Sequence, residues 1–242
     1  MKIKQVSFGA AHYFNQEKPK RQIYLHHTAG NDNAEGVFKY WEQTTDRVAT
    51  CVVIGSNGEI VQGFPSNKWA YHLGLNVKTF NAHGLKYQPL DEMSIGIELC
   101  NWGALTEVVD GDDVKYMNYV GREVPLDQVI KLDTPYKNYQ FWHSYTDAQI
   151  EAVKELLLLW NDKYQIPLEY NDDIWSVCSR ALSAHPGVYT HNSVRKDKTD
   201  VYPHPKLIEM LKSLTAKEPI VVGEKKSPAK ETKPKSSEKA KK

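Results

Sequence analysis

The segment His191-Asn192-Ser193-Val194-Arg195-Lys196-Asp197-Lys198-Thr199-Asp200 puts five charged side chains and an imidazole into ten residues, with almost nothing apolar beside them. Such a stretch cannot be core, because its charges need water, each other or a bound ion. The fold must open to solvent wherever this segment lies. Taken alone, it reads first as a solvated charged loop. The second reading is chemical. His191 and Asp200 are a nitrogen and an oxygen ligand of the kind a catalytic zinc takes, and such sites draw a further ligand from elsewhere in the chain. Lys198 would then face the same cavity as a point charge for a developing oxyanion.

Two strand patterns bear on that choice. Arg21-Gln22-Ile23-Tyr24-Leu25-His26-His27 is rich in β-branched and aromatic residues and stops at Thr28-Ala29-Gly30. Neighbouring residues on a strand point to opposite faces, so only one of the two histidines can serve a site on a given side. A packed, hydrogen-bonded histidine beside an exposed one is the plainer alternative. Met93-Ser94-Ile95-Gly96-Ile97-Glu98-Leu99-Cys100 is the other strand, with Ile95, Ile97 and Leu99 on one face and Ser94, Gly96 and Glu98 on the other. A carboxylate in mid-sheet is costly unless it is paired or sits in a wet cleft. Gly96 leaves room for an approach to the sheet. Glu98 is therefore either a general base or one half of a cross-strand ion pair.

Between these strands, Asn33–Glu42 reads as a helix capped by Asn31 or Asn33, with Val37, Phe38 and Trp41 as a core-facing stripe. Residues 49–55 and 59–63 form two strands joined at Ser56-Asn57-Gly58. Trp69-Ala70-Tyr71-His72-Leu73-Gly74 is a loop that either lines a groove for sugar or peptide or simply packs its tryptophan. Residues 1–20 read as an arm lying on the domain, and 101–145 as a long polar and aromatic excursion. Thr146 caps the clearest helix, which buries Ile150, Val153, Leu156, Leu157 and Trp160 and runs to about Tyr164. A short helix is expected over 172–182. Gly187–Thr190 is an extended lead to His191, and a last helix starts at His204-Pro205. The pattern predicts an α/β fold, one domain over 21–215.

The formal net charge of +1 hides an asymmetry. Residues 217–242 carry nine Lys against four Glu, which leaves the body near −4 and excludes a basic nucleic-acid binder. This tail, 216–242, cannot bury enough apolar surface to order itself. It reads as a solubilising segment or a weak contact for polyanions. No window suits a membrane span, and the N-terminus lacks the apolar stretch of a signal peptide, so cytoplasmic synthesis is expected. Cys51, Cys100 and Cys178 are too few and too scattered for a disulfide framework or a zinc knuckle.

The strand ending in His26-His27, the strand bearing Glu98 and the late His191…Lys198-Thr199-Asp200 come in an order that resembles the zinc-dependent N-acetylmuramoyl-L-alanine amidases of the amidase type 2 family, which share a fold with the peptidoglycan recognition proteins. Tyr24–Gly30 resembles the family's first ligand strand, in which the first histidine of the pair binds zinc. Trp69–Gly74 is similar to its Trp-His-x-Gly segment with one residue inserted. Ser94–Glu98 resembles the strand of its catalytic glutamate, and Lys198-Thr199-Asp200 its second ligand segment. Two departures stand out. Thr50-Cys51 lacks the Tyr or His that many relatives carry there, and the 101–145 excursion has no counterpart in minimal members.

The resemblance implies a mixed central β-sheet flanked by helices, with a zinc cleft at one edge of the sheet. Zinc would be held by His26, His191 and Asp200. Glu98 would be the general base and Lys198 the oxyanion charge. Trp69, His72 and Arg195 would hold glycan or stem peptide. The implied reaction is cleavage of the bond between N-acetylmuramic acid and L-alanine in peptidoglycan, as by a phage lysin acting on the wall after release. The alternatives are an intracellular amidase recycling anhydro-muropeptides and a non-catalytic peptidoglycan receptor; relatives of the second kind have lost a zinc ligand, whereas all three are present here.

Overall fold

Alternation along two neighbouring strands decides the architecture. The computed structural model describes residues 1–215; the Lys-rich tail expected to solubilise the chain or touch polyanions lies outside them. In chain order the elements begin with β1 (Ile3–Gln5), β2 (Gln22–His27), α1 (Ala34–Trp41), β3 (Val52–Ile54), β4 (Ile60–Gln62), α2 (Val77–Ala82), α3 (Leu90–Met93) and β5 (Ser94–Leu99). A second group follows: β6 (Ala104–Asp110), β7 (Asp113–Met117), β8 (Glu123–Val124), β9 (Val129–Tyr136) and β10 (Tyr139–His143). The chain closes with α4 (Asp147–Tyr164), α5 (Ser179–Leu182), β11 (Gly187–Thr190) and α6 (Pro205–Thr215).

The main sheet is mixed, in the order β1-β4-β3-β5-β2-β11. β2 runs parallel to both β5 and β11, while β3 and β4 form the antiparallel hairpin that the Asn57-Gly58 turn predicts, with Gly58 at φ +81°. The register pairs Ile23 with Ile95, Leu25 with Ile97 and His27 with Leu99; the intervening pairs are Gln22–Ser94, Tyr24–Gly96 and His26–Glu98. Parallel partners share a face, so one side of β2 and β5 is aliphatic and the other carries hydroxyl, imidazole and carboxylate. The aliphatic residues join Val153, Leu156, Leu157 and Trp160 of α4 in one buried cluster. Each fully buried Leu or Ile there stabilises the fold by about 1.5–3 kcal/mol.

Helix α4 starts as expected. Thr146 Oγ1 accepts from the Gln149 backbone N–H at 3.0 Å, and Gln149 Oε1 accepts from the Thr146 N–H at 3.2 Å, a complete capping box. Thr146 Oγ1 also donates to the Ser56 carbonyl, and Gln149 Nε2 donates to the Cys100 carbonyl at 2.9 Å, so the cap ties the helix to the sheet's hairpin and to the end of β5. The last helix follows His204 as the sequence predicts.

Four expectations need correcting. The N-terminal arm is part of the sheet: β1 adds parallel to β4, satisfying an edge that would otherwise be unpaired. The 101–145 excursion is a second, antiparallel sheet in the order β8-β7-β6-β10-β9; runs of exposed residues along its strands gave it a polar, weakly periodic sequence. Residues 172–182 form two short turns of helix, Asp172–Trp175 and Ser179–Leu182, broken at Ser176–Cys178. In α1 the stripe buries Phe38 fully, joined by Ala34, while Val37 and Trp41 are half-buried against the core and Tyr40 is exposed. All three cysteines are free, Cys51 and Cys100 buried. Among the described residues no helix is long and apolar enough to cross a membrane.

Replacing Thr146 with Ala removes the cap acceptor and the bond to Ser56. We expect a loss of about 1 kcal/mol in urea unfolding, with the m-value unchanged.

Candidate metal centre

The polar face of β2 and β5 forms the floor of an open cleft of about 660 Å³. His26 is the last residue of that face of β2 and lies beside Glu98 in the register. Thr190 ends β11, and His191 follows at once in a single turn of 3-10 helix, so two adjacent parallel strands deliver their histidines to the same end of the sheet. Asp200 returns from the charged segment to meet them. His26 Nδ1 lies 3.1 Å from His191 Nδ1, and Asp200 Oδ2 lies 3.0 Å from the first and 2.9 Å from the second. His26 and His191 are 3% and 5% exposed.

The outer nitrogens decide what these atoms can be. His191 Nε2 lies 3.1 Å from the Leu73 carbonyl, which can only accept, so Nε2 carries a proton and donates there. His26 Nε2 lies 3.0 Å from His72 Nδ1, and His72 Nε2 lies 2.8 Å from Ser94 Oγ. Where His26 Nε2 is the donor of this chain, its Nδ1 is a lone pair. Burial lowers the His26 pKa to about 4 and holds His72 well below its ordinary range, so both rings are neutral near pH 7. Burial pushes the Asp200 carboxyl up, but His191 and His26 outweigh it and hold it well below the usual carboxylate range. Two imidazole nitrogens and a carboxylate oxygen thus converge within about 3 Å, and with both Nδ1 atoms deprotonated they are three donor atoms for one cation.

The donor set fits zinc. Two nitrogens and one carboxylate oxygen are its catalytic ligand types, and a tetrahedron with ligands about 2.05 Å from its centre has edges of roughly 3.3 Å. Three atoms 2.9–3.1 Å apart come close to that spacing. Each ring donates its other N–H, to a carbonyl or to a second imidazole, as metal-bound histidines do.

Glu98 and Lys198 line the same cleft. Burial and the charge of Asp200 raise the Glu98 carboxyl well above its ordinary value, against the opposing pull of Lys198. Two other expected contacts do not reach the cleft. Trp69 stacks on Phe14 with ring centroids 3.8 Å apart, and its 8% exposure leaves it no free face. Arg195 is paired to Asp197 and lines a separate cavity with Gly74, Asn76 and Lys137. His72 touches the cleft, but both its ring nitrogens are engaged by His26 and Ser94. The room left by Gly96 belongs to these neighbours: a Cβ there would lie 2.6 Å from Thr50 Cγ2 and 3.2 Å from His72 Nδ1. His27 faces the other way, 2.8 Å from the Tyr145 hydroxyl.

The cleft lining also holds residues the sequence reading passed over: Tyr40 and Trp41 from α1, Thr50, and Tyr119 from the turn between β7 and β8. Tyr40 and Tyr119 are 68% and 71% exposed. The one available signal was that α1 carries three aromatics, more than a narrow buried stripe can hold.

In comparisons with known proteins, residues 16–205 match the Amidase_2 family, N-acetylmuramoyl-L-alanine amidase. No curated protein matches the sequence. Among solved structures the chain is similar to PlyL, at 16% identity over 89% of this chain and 98% of that one, with a TM-score of 0.49. It is similar to the N-acetylmuramoyl-L-alanine amidase LysC from Clostridium intestinale URNW, at 14% identity over 88% and 96%, TM-score 0.47. AmpD gives 18% identity over 86% and 93%, TM-score 0.47. The family match begins ahead of the strand that ends in His26 and His27 and runs past Asp200, covering most of the sequence, and on that ground the chain belongs to the N-acetylmuramoyl-L-alanine amidase family.

Proposed function

We propose that this amidase works with zinc held by His26, His191 and Asp200, with Glu98 as its general base and Lys198 as its oxyanion charge. The activity itself follows from family membership: hydrolysis of the amide between N-acetylmuramic acid and L-alanine in peptidoglycan. The metal assignment rests on one observation, the convergence of Nδ1, Nδ1 and Oδ2 within 2.9–3.1 Å while the other ring nitrogens are engaged elsewhere. Bound zinc supplies Lewis acidity, polarising the scissile carbonyl and acidifying a water. Glu98 takes the proton as the water oxygen bonds to the carbonyl carbon, and returns it to the nitrogen as the C–N bond breaks. Lys198 offers a fixed positive charge to the carbonyl oxygen as it becomes negative. We assign glycan contact to Tyr40, Trp41 and Tyr119, whose ring faces suit the C–H surfaces of pyranose rings, in place of Trp69 and Arg195. An open cleft rimmed by exposed aromatics favours the wall polymer, as a phage lysin meets it, over a small anhydro-muropeptide.

Digestion of purified peptidoglycan by the zinc-loaded protein, with products read by mass spectrometry, tests this directly. Stem peptides beginning with L-alanine should appear beside intact glycan strands, and Asp200→Ala should abolish both their release and one-to-one zinc binding. Wall binding without released peptide would instead indicate a receptor. Glu98→Gln should keep zinc at one per chain while lowering turnover at least about 100-fold; unchanged turnover removes Glu98 from the mechanism. The pH profile carries a further expectation. A base with a raised pKa loses its active, ionised form as pH falls through that value, so kcat/KM should decline on the acid side at a higher pH than an ordinary glutamate, about 4.3, dictates. Lys198→Met removes the charge that favours ionised Glu98, so the acid limb should move further up the pH scale while the maximum rate falls.

A further inference from the structure

Both imidazoles of the metal centre are held by one dipeptide. His26 Nε2 meets the His72 ring, and His191 Nε2 donates to the Leu73 backbone carbonyl, at 3.0 and 3.1 Å. Tyr71, just before them, is bridged to Val48, with its N–H on the Arg47 carbonyl and its own carbonyl on the Ala49 N–H. Beyond that bridge the two residues lie outside any helix or strand, and their backbone N–H groups share one acceptor. The backbone N–H groups of His72 and Leu73 both donate to Asp91 Oδ1, at 2.8 and 3.0 Å. Asp91 sits in α3, whose last residue, Met93, is followed directly by β5, so the same short helix that starts the Glu98 strand carries the anchor. Burial raises the Asp91 carboxyl, and the two N–H groups pull it back toward ionisation.

From this geometry we propose that Asp91 is a positioning residue of the metal site: its Oδ1 sets the 72–73 backbone, and through it fixes both His26 and His191 with the proton on Nε2 and Nδ1 free. An imidazole free to exchange tautomers offers its lone pair to the site for part of the time, and ordering it on binding weakens the metal. One carboxylate oxygen sets two ligands together because they reach adjacent residues. The inference rests on the zinc reading above, so its test includes a readout that needs no metal.

The oxygen's position is separable from the carboxylate's charge. Asp91→Asn keeps an acceptor at the same place and loses the charge; Asp91→Glu keeps the charge and moves the oxygen by one methylene. Zinc affinity, measured by competition with a chromophoric chelator, should weaken about 10–100-fold in Asp91→Glu and Asp91→Ala, the usual span for groups behind the ligands. It should stay within about 3-fold of the parent in Asp91→Asn. Nitrogen-15 NMR of the metal-free protein should show His26 and His191 as Nε2–H tautomers in the parent and Asp91→Asn, and as tautomer mixtures in Asp91→Glu. If Asp91→Glu matches the parent in both measurements, or Asp91→Asn loses affinity while Asp91→Glu keeps it, the positioning role is wrong. A parent that binds no zinc would overturn the metal assignment alone, since the tautomers still decide for or against Asp91.

Discussion

The structure depends on bringing two imidazoles and one carboxylate within about 3 Å of each other among largely buried side chains. Nothing apolar stabilises that contact, and burial alone opposes it. It persists because each group is fixed from behind. His26 leans on His72 and Ser94, and His191 on the Leu73 carbonyl. Asp200 is the only anion of the three, and its charge is what the two rings are arranged to face. A folded protein that keeps such a cluster carries a local cost, and the cost falls when a cation is bound, which couples metal affinity to the stability of this end of the sheet.

The parallel sheet makes the cluster possible. Side chains in register on adjacent parallel strands share a face, so an aliphatic face and a polar face emerge from the same two sequences. The first joins the core that α4 covers; the second is given over to chemistry. His26 and Glu98 are register partners, which places the proposed base next to a ligand by strand pairing alone. β11 stops at Thr190, just where its next residue reaches the same end of the sheet. Had β2 slipped by one residue, His27 would occupy the cleft and His26 the core.

Much of this was legible beforehand because the informative residues are local. The alternation at 93–100, the two histidines ending 21–27, the Asn57-Gly58 turn and the Thr146 cap each depend on a few neighbours, and each lies where the pattern predicts. The fold class and the family followed from them. What the sequence concealed depends on distance. Trp69 looked like a groove residue because its segment resembles one, yet Phe14 from the N-terminal arm covers its ring. Arg195 lies within the ligand segment but turns to Asp197 in a separate cavity. Tyr119 reaches the cleft from a sheet whose strands alternate weakly, since five residues of β6 in succession are exposed. Asp91 makes its contacts through backbone N–H groups, which leave no trace in composition or spacing.

The second sheet is joined to the rest by apolar packing, with Trp142 buried and stacked on Tyr202, and by a set of polar groups at its base. Asn101 is buried where the insertion begins. Its Nδ2 donates to the His143 carbonyl at 2.9 Å and its Oδ1 accepts from the Gly103 N–H at 2.8 Å, clipping the exit of the insertion to its entrance. The His143 N–H closes the same stem on the Gly103 carbonyl at 2.9 Å. Gly103, at φ +75°, lies against His27, where a Cβ would come within 2.6 Å of Nε2, and His27 is fixed from its other nitrogen by Tyr145. The β9–β10 turn is tied down as well: the Tyr136 hydroxyl donates to the Trp175 carbonyl and Lys137 Nζ to the Lys196 carbonyl, each at 2.7 Å, so the insertion also braces the charged segment that carries Asp200. His26 faces the cleft and its neighbour His27 faces the stem, so one of the paired histidines serves the proposed metal site and the other seats the wall that Tyr119 carries to the rim.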